Sequence, residues 1–315
     1  MTRFGYFGPA GTFTEMALLD WPPALEGERT AYPSVDATLA AVRSGEVDAG
    51  MVPIENSVEG GVTATLDALA AGEPLIVVGE RLVRIRFVLA ARDGMPLARV
   101  RTIGTHSHAW AQIRGWVGAH LPEATYVPTL STASAAYDLA PGGEGRHDAA
   151  VCAPIAAAAA GLTVLADDIG DFKRAVTRFV LVAKPRHIPP PTGADKTTLV
   201  LYQRSDHAGG LMALLEQFAA RGINMTRLES RPTKHSMGDY CFSVDIEGHV
   251  LDERVGEALT GLKRICADVV FLGSYPRADK ARAGIAPHNA DEDFRAANAW
   301  LAGLRGIVDW ADGRG

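Results

Sequence analysis

Lys184-Pro-Arg-His-Ile-Pro-Pro-Pro-Thr-Gly193 divides the chain. Its prolines fix φ and donate no backbone hydrogen bond, so the stretch continues neither a helix nor a central strand and reads as a linker, residues 185–196. Upstream, short β-rich runs alternate with alanine-rich helical windows. Strands are expected at 4–7, 49–53, 76–78, 87–91, 100–104, 149–152 and 179–183, and helices over 35–43, 109–117 and 131–139. Strands alternating with helices predict an α/β domain with a largely parallel sheet. Two such sets, roughly 1–80 and 85–170, predict two lobes tied together by the chain returning near 170–183, with a ligand cleft between them. Downstream, Leu211, Leu214, Leu215, Phe218 and Ala219 share one helical face after a strand at 197–203, and Gly222 ends that helix. Strands at 223–231 and 240–246, a helix over 253–265 and a strand at 268–272 complete a β-α-β-β-α-β order, the ferredoxin-like unit, across 197–276. The tail, 277–315, carries one expected helix over 291–304, with Phe294, Ala297, Leu301 and Leu304 on the face that would cover a neighbouring surface or a partner subunit.

With 315 residues, 47% of them hydrophobic, the chain has ample material for two cores, which excludes disorder. A net charge of −6, with basic residues spread along the sequence, offers no face for nucleic acid or an anionic membrane. Small molecules are the expected ligands. Cys152, Cys241 and Cys266 have no C-x-x-C spacing, against both a zinc site and a disulfide framework. The start, MTRFGYFGPAG, has no apolar run of signal-peptide length, so a cytoplasmic chain is expected. Residues 149–166 carry no charge, yet Pro154 and Gly161 interrupt them; strand, helix, strand is the expectation rather than a membrane span.

Five segments carry candidate chemistry. Gly8-Pro-Ala-Gly-Thr-Phe-Thr-Glu15 matches neither the dinucleotide fingerprint nor the P-loop. Thr12 and Glu15 stand at capping-box spacing, and a helix start there can also cradle a carboxylate; both readings stay open. Val52-Pro-Ile-Glu-Asn-Ser-Val-Glu-Gly60 places Glu55, Asn56 and Ser57 at the C-terminal end of a strand, where α/β sheets bind ligands, against the plainer reading of an Asx-turn at Asn56. Thr105-His-Ser-His-Ala-Trp-Ala-Gln112 reads plainly as a helix cap at Thr105 with Gln112 two turns inward, or functionally as both at a cleft wall; His106 and His108 lack a third partner in sequence, so no metal is expected. Ser131-Thr-Ala-Ser-Ala-Ala136 reads as a helix cap with small residues for close packing. Thr177-Arg-Phe179 opens a strand.

Taken together, in this order and at these distances, GPAGTFTE, PIENSVEG, the LSTASAA run and TRF strongly resemble the prephenate dehydratase family over residues 3–275. Gly222-Ile-Asn-Met-Thr-Arg-Leu-Glu-Ser-Arg-Pro232 resembles the ACT regulatory domain attached to that family, whose Glu-Ser-Arg-Pro motif binds phenylalanine. The resemblance implies a catalytic region, 1–184, of two lobes like type II periplasmic binding proteins. It implies loss of CO2 and water from prephenate to give phenylpyruvate, with no cofactor and no metal. Carried over, Thr177, Asn56 and Gln112 are the catalytic residues. Thr12, Glu55, Ser57, Thr105, Arg178 and Phe179 would bind substrate. Phenylalanine would bind at Gly209, Gly210, Leu211, Met225, Glu229, Ser230, Arg231 and Pro232, and the chain would self-associate as a dimer or tetramer through both its catalytic and ACT regions. Two departures stand out. The family's common Ser-His-Pro-Gln reads Thr105-His-Ser-His108 here, which leaves the role of His108 open, and its Gly-Ala-Leu reads Gly209-Gly-Leu211, which predicts a looser effector pocket. Arogenate dehydratase, and a non-catalytic amino-acid sensor with the same fold, remain alternatives; the intact Thr-Arg-Phe segment argues against the sensor.

Overall fold

Strand β1 (Arg3–Phe7) ends at a Gly-Pro turn, and Thr12 then caps helix α1 (Phe13–Leu19) by accepting the Glu15 N–H at 3.3 Å. From there the computed structural model, which describes residues 1–232 and 240–307, follows one scheme twice. The first lobe continues through α2 (Pro22–Leu25), β2 (Glu28–Tyr32), α3 (Val35–Ser44), β3 (Ala49–Asn56), the short β4 (Gly60–Gly61), α4 (Thr63–Ala70) and β5 (Ile76–Arg84). The chain then enters the second lobe with β6 (Val88–Ala91), β7 (Thr102–Thr105), α5 (Ser107–Ala111), α6 (Arg114–His120), β8 (Thr125–Pro128), α7 (Thr132–Tyr137), β9 (Ala149–Cys152), α8 (Pro154–Ala159) and β10 (Thr163–Ala166). It returns as β11 (Val176–Ala183).

The sheet orders are β2-β1-β3-β11-β5, with β4 beside β3, and β8-β7-β9-β6-β10. In each, the first three strands pair parallel. The fourth arrives from the other lobe and runs antiparallel to its neighbour, β11 against β3 and β6 against β9. The expectation of largely parallel sheet therefore holds for the first three strands and fails at the exchanged ones. Two lobes joined by such an exchange make a type II periplasmic-binding-protein arrangement.

Alternation along the strands sets the cores. Leu89, Ile103 and Val151 face Ile113 and Val117 on one side of the second sheet. Val88, Ala90, Ala150 and Cys152 face the alanines of α7 and α8 on the other, where small side chains let the helices lie close. The uncharged run at 149–166 becomes β9, α8 and β10, and among the described residues no helix is long and apolar enough to cross a membrane. Two expectations need correction. The single helix expected over 109–117 is broken at Ile113, because the Asp171 carboxylate accepts the N–H groups of Gly115 and Trp116 and so caps a new helix. Strands β2 and β8 escaped notice because their residues are polar or exposed and show no apolar alternation.

The chain forms two compact units: Met1–Leu75 with Gly79–Arg186, and a second of the described residues from His187 onward together with Ile76–Val78. That unit runs β12 (Asp195–Tyr202), α9 (Gly210–Ala219), β13 (Met225–Pro232), β14 (Tyr240–Glu247), α10 (Glu253–Ile265) and β15 (Asp268–Pro276). The antiparallel order β13-β14-β12-β15 is ferredoxin-like, as the sequence pattern predicts. Leu199, Leu201, Phe242, Val244 and Ile246 pack beneath Leu214, Phe218, Val255 and Leu262. The tail helix, α11 (Asp291–Gly306), lies against α10: Asp291 accepts the Glu253 N–H at 2.9 Å and Arg295 meets the Glu253 carboxylate at 3.1 Å. Residues 233–239 and the tail's last stretch, 308–315, lie outside the described residues.

Candidate active site

A cavity of about 230 Å³ opens within the first unit, at the ends of β1 and β3 and the starts of β11, α1, α5 and α7. Phe7, Gly8 and Thr12–Thr14 line it from the first turn, Pro53, Asn56 and Glu59 from the end of β3, and His106, His108, Ala109 and Gln112 from the start of the second lobe. Leu130–Thr132, Thr177, Phe179, Ile85 and Phe87 close it.

The register of β11 creates its centre. Thr177 stands opposite Asn56 and Arg178 opposite Glu55, but Phe179 stands opposite Pro53, so Ile54 is an extra residue, a bulge in β3. Residues directly opposite share a sheet face, which brings Asn56 and Thr177 together. The Asn56 Nδ2 donates to Thr177 Oγ1 at 2.8 Å. Its Oδ1 accepts the N–H groups of Val58 and Glu59 at 2.8 and 3.3 Å, an Asx-turn that fixes which way the amide faces. The Thr177 oxygen therefore receives a hydrogen bond and keeps its own proton for the cavity.

Arg178 projects to the opposite face. Its Nε meets Glu80 Oε2 at 2.5 Å and its Nη1 meets Glu55 Oε2 at 3.5 Å, and Arg178 and Glu80 are both buried. The Ser57 hydroxyl accepts the Val176 N–H at 2.9 Å, and Thr105, fully buried, donates to the Val151 carbonyl at 2.8 Å. Glu55, Ser57, Thr105 and Arg178, all expected at the substrate, thus stand behind the lining, where they hold β11, β3 and β7 in place. Thr12, Asn56, Gln112, Thr177 and Phe179 are in it.

At α1 the capping reading holds in part. Thr12 caps the helix, while Glu15 reaches back to the Gly11 N–H at 2.6 Å and receives the Tyr6 hydroxyl at 3.1 Å. Burial, then that carboxylate, pushes the Tyr6 hydroxyl pKa up, so Tyr6 stays a donor. Ser131 and Ser134 form a reciprocal capping box at α7.

The residue that sequence reading missed is Glu59. Its Oε1 accepts from Gln112 Nε2 at 3.0 Å and its Oε2 meets His108 Nδ1 at 2.7 Å. His108 and Gln112 sit four residues apart around the first turn of α5, a spacing that predicts a shared face and could have drawn attention to a common partner. The His106 ring lies edge-on to His108, centroids 5.1 Å apart; burial first, then His108, pushes its pKa down. Among the described residues no group of three or more His, Cys, Asp or Glu is arranged to hold a metal ion. Cys152 is buried and its thiol is pushed up to about 12 by desolvation, which makes it a packing residue rather than a nucleophile.

The sequence model of the family described as prephenate dehydratase matches residues 4–187. The chain belongs to the prephenate dehydratase family. Prephenate dehydratase of Amycolatopsis methanolica is 46% identical over 306 residues, covering 97% of this chain and 98% of that one. A crystal structure of prephenate dehydratase from Arthrobacter aurescens in complex with L-Phe is 52% identical with a TM-score of 0.92, covering 97% of this chain and all of that one (100%). A solved structure of GqqA, described as a novel type of quorum quenching acylase, is 30% identical with a TM-score of 0.75 over 87% of this chain and 98% of its own. The activity of the chain is that of a prephenate dehydratase, a lyase.

The expected effector residues lie on two elements. Gly209 precedes α9 at φ 84°, a left-handed conformation that suits glycine, and Gly210 and Leu211 begin the helix. Met225, Glu229, Ser230, Arg231 and Pro232 lie along β13, an edge strand, where Glu229 meets Arg227 at 3.4 Å. A methyl on Gly210 would stand 2.7 Å from Gln203 Nε2, so the Gln203 amide takes up the room that the Gly210 departure would have left open.

Proposed function

We propose that the chain converts prephenate to phenylpyruvate, CO2 and water at Asn56 and Thr177, and that phenylalanine regulates it through the ferredoxin-like unit. The observation that carries the first part is the Asn56 amide held against the Thr177 oxygen at 2.8 Å inside the cavity. In the reaction the bond from the ring to its carboxylate breaks and its electron pair enters the ring. At the opposite ring carbon the C–O bond breaks, and the hydroxyl takes up a proton and leaves as water. Aromatisation drives the step, and because it is redox-neutral it calls for no electron carrier.

A Thr hydroxyl is too weak an acid to give up its proton unaided. Thr177 therefore donates a hydrogen bond to the leaving hydroxyl as charge builds on it, while Asn56 steadies the Thr177 oxygen. Gln112 and Thr12 hold the rest of the substrate. Phe13 and Phe87, edge to face at 5.6 Å, supply an apolar wall where a departing carboxylate is poorly solvated.

Phenylalanine regulation is supported by the L-Phe complex of the Arthrobacter relative. Gly209–Leu211 would meet the ligand carboxylate and Glu229 its ammonium, with Leu211 and Met225 at the ring, across a contact between two copies in a cytoplasmic dimer or tetramer. The test is incubation of the purified chain with prephenate, and with arogenate in parallel, followed by detection of phenylpyruvate or phenylalanine. Phenylpyruvate formation that phenylalanine slows in wild type but not in Glu229→Ala is the expected result. No turnover of prephenate, or faster turnover of arogenate, overturns the reading of the substrate; undiminished inhibition of Glu229→Ala moves the effector elsewhere.

A further inference from the structure

Prephenate is a dianion, yet among the described residues lining the cavity there is no lysine or arginine, and the acidic one is Glu59. A bare carboxylate in that wall would repel the substrate. Two side chains address it: Gln112 donates to one oxygen at 3.0 Å, and His108 meets the other at 2.7 Å. The titratable groups facing His108 are Glu59, from the loop after β3, and His106, from the turn before α5. The His108 Nδ1 thus lies in contact with the carboxylate oxygen that Gln112 leaves open.

We propose that His108 makes the site selective for a dianionic substrate by cancelling the charge of Glu59, while Glu59 fixes the Gln112 amide at the cavity wall. The proposal rests on reading the cavity as the prephenate site. Its consequence has a definite sign: with His108 removed, the Glu59 charge is left uncompensated and KM for prephenate rises.

The experiment compares wild type, His108→Gln, Glu59→Gln and the double variant by steady-state turnover and by calorimetric binding of prephenate. His108→Gln should raise KM about fivefold, the effect of one like charge near 4 Å in a wet site, with a smaller change in kcat. Adding Glu59→Gln should bring KM back down, because the introduced amide oxygen still accepts from Gln112 but carries no charge. A KM unchanged in His108→Gln, a kcat loss without a KM change, or a double variant no better than His108→Gln would each overturn the proposal. Calorimetry reads the pair without turnover, so binding that responds in this way in an inactive wild type would reject the reaction and keep the charge cancellation.

Discussion

At the scale of single residues, the proposed chemistry turns on the Asx-turn of Asn56, because it decides which end of one amide faces Thr177. Replacing Asn56 by Asp preserves shape and the bonds from Val58 and Glu59, but puts a carboxylate oxygen where the Nδ2 donor stood. That oxygen would accept the Thr177 proton and turn it away from the cavity. We expect kcat of Asn56→Asp to fall by about 10²–10³, the worth of one positioned donor, with a smaller change in KM and little loss of stability. Thr177→Val should show the same split, and Thr177→Ser should recover most of the rate; steady-state kinetics with prephenate decides. A rise in KM at normal kcat would make Thr177 a binding residue. The turn read at Asn56 from sequence is present, and the same side chain lies in the cavity lining, where its proposed role requires it. Arg178 was harder to read: its neighbour Thr177 marks a site, but its partner Glu80 lies 98 residues away and no local pattern announces it.

At the scale of elements, the β3–β11 pair shows what supports that geometry. The bulge at Ile54 lets Thr177 oppose Asn56 while the Arg178–Glu80 pair anchors the strand from behind. Glu80→Ala would leave a buried guanidinium without the carboxylate that meets it at 2.5 Å. Removing one partner of a buried pair costs about 3–5 kcal/mol, so the urea midpoint should drop markedly and kcat should fall as β11 loosens. A loss below about 1 kcal/mol would show that the pair does not brace the strand. Elements with a strong apolar rhythm were legible: 253–265 is a helix as expected, and residues 149–166 fall into strand, helix and strand. The break at Ile113 was not, since it depends on Asp171, far along the chain. Edge strands β2 and β8 were not either, because the apolar alternation used to find strands exists only where a face is buried.

At the scale of the first unit, the first sheet cannot complete its order until the chain has passed through the second. The second sheet is built from the consecutive strands β6–β10, and β11 enters the first, between β3 and β5, only after β10. Sequence showed two repeating sets and a returning segment; it could not show the exchange, because the hydrophobic runs of β6 and β11 look like those of any buried strand. The exchange predicts that the lobes unfold as one cooperative body. Leu181 in β11, nearly fully buried, stands opposite Met51 of β3. Leu181→Ala should cost about 2–5 kcal/mol through lost contact and the cavity left behind. If the lobes are one cooperative body, that loss cannot stay in the first sheet. Amide hydrogen exchange should accelerate by a similar factor in the β3–β11 pair and in the β6–β9 pair of the other lobe, where Leu89 stands opposite Val151. Faster exchange in the first sheet with the second unchanged would show two separately stable lobes, and the shared strands would then be a matter of connectivity rather than of stability.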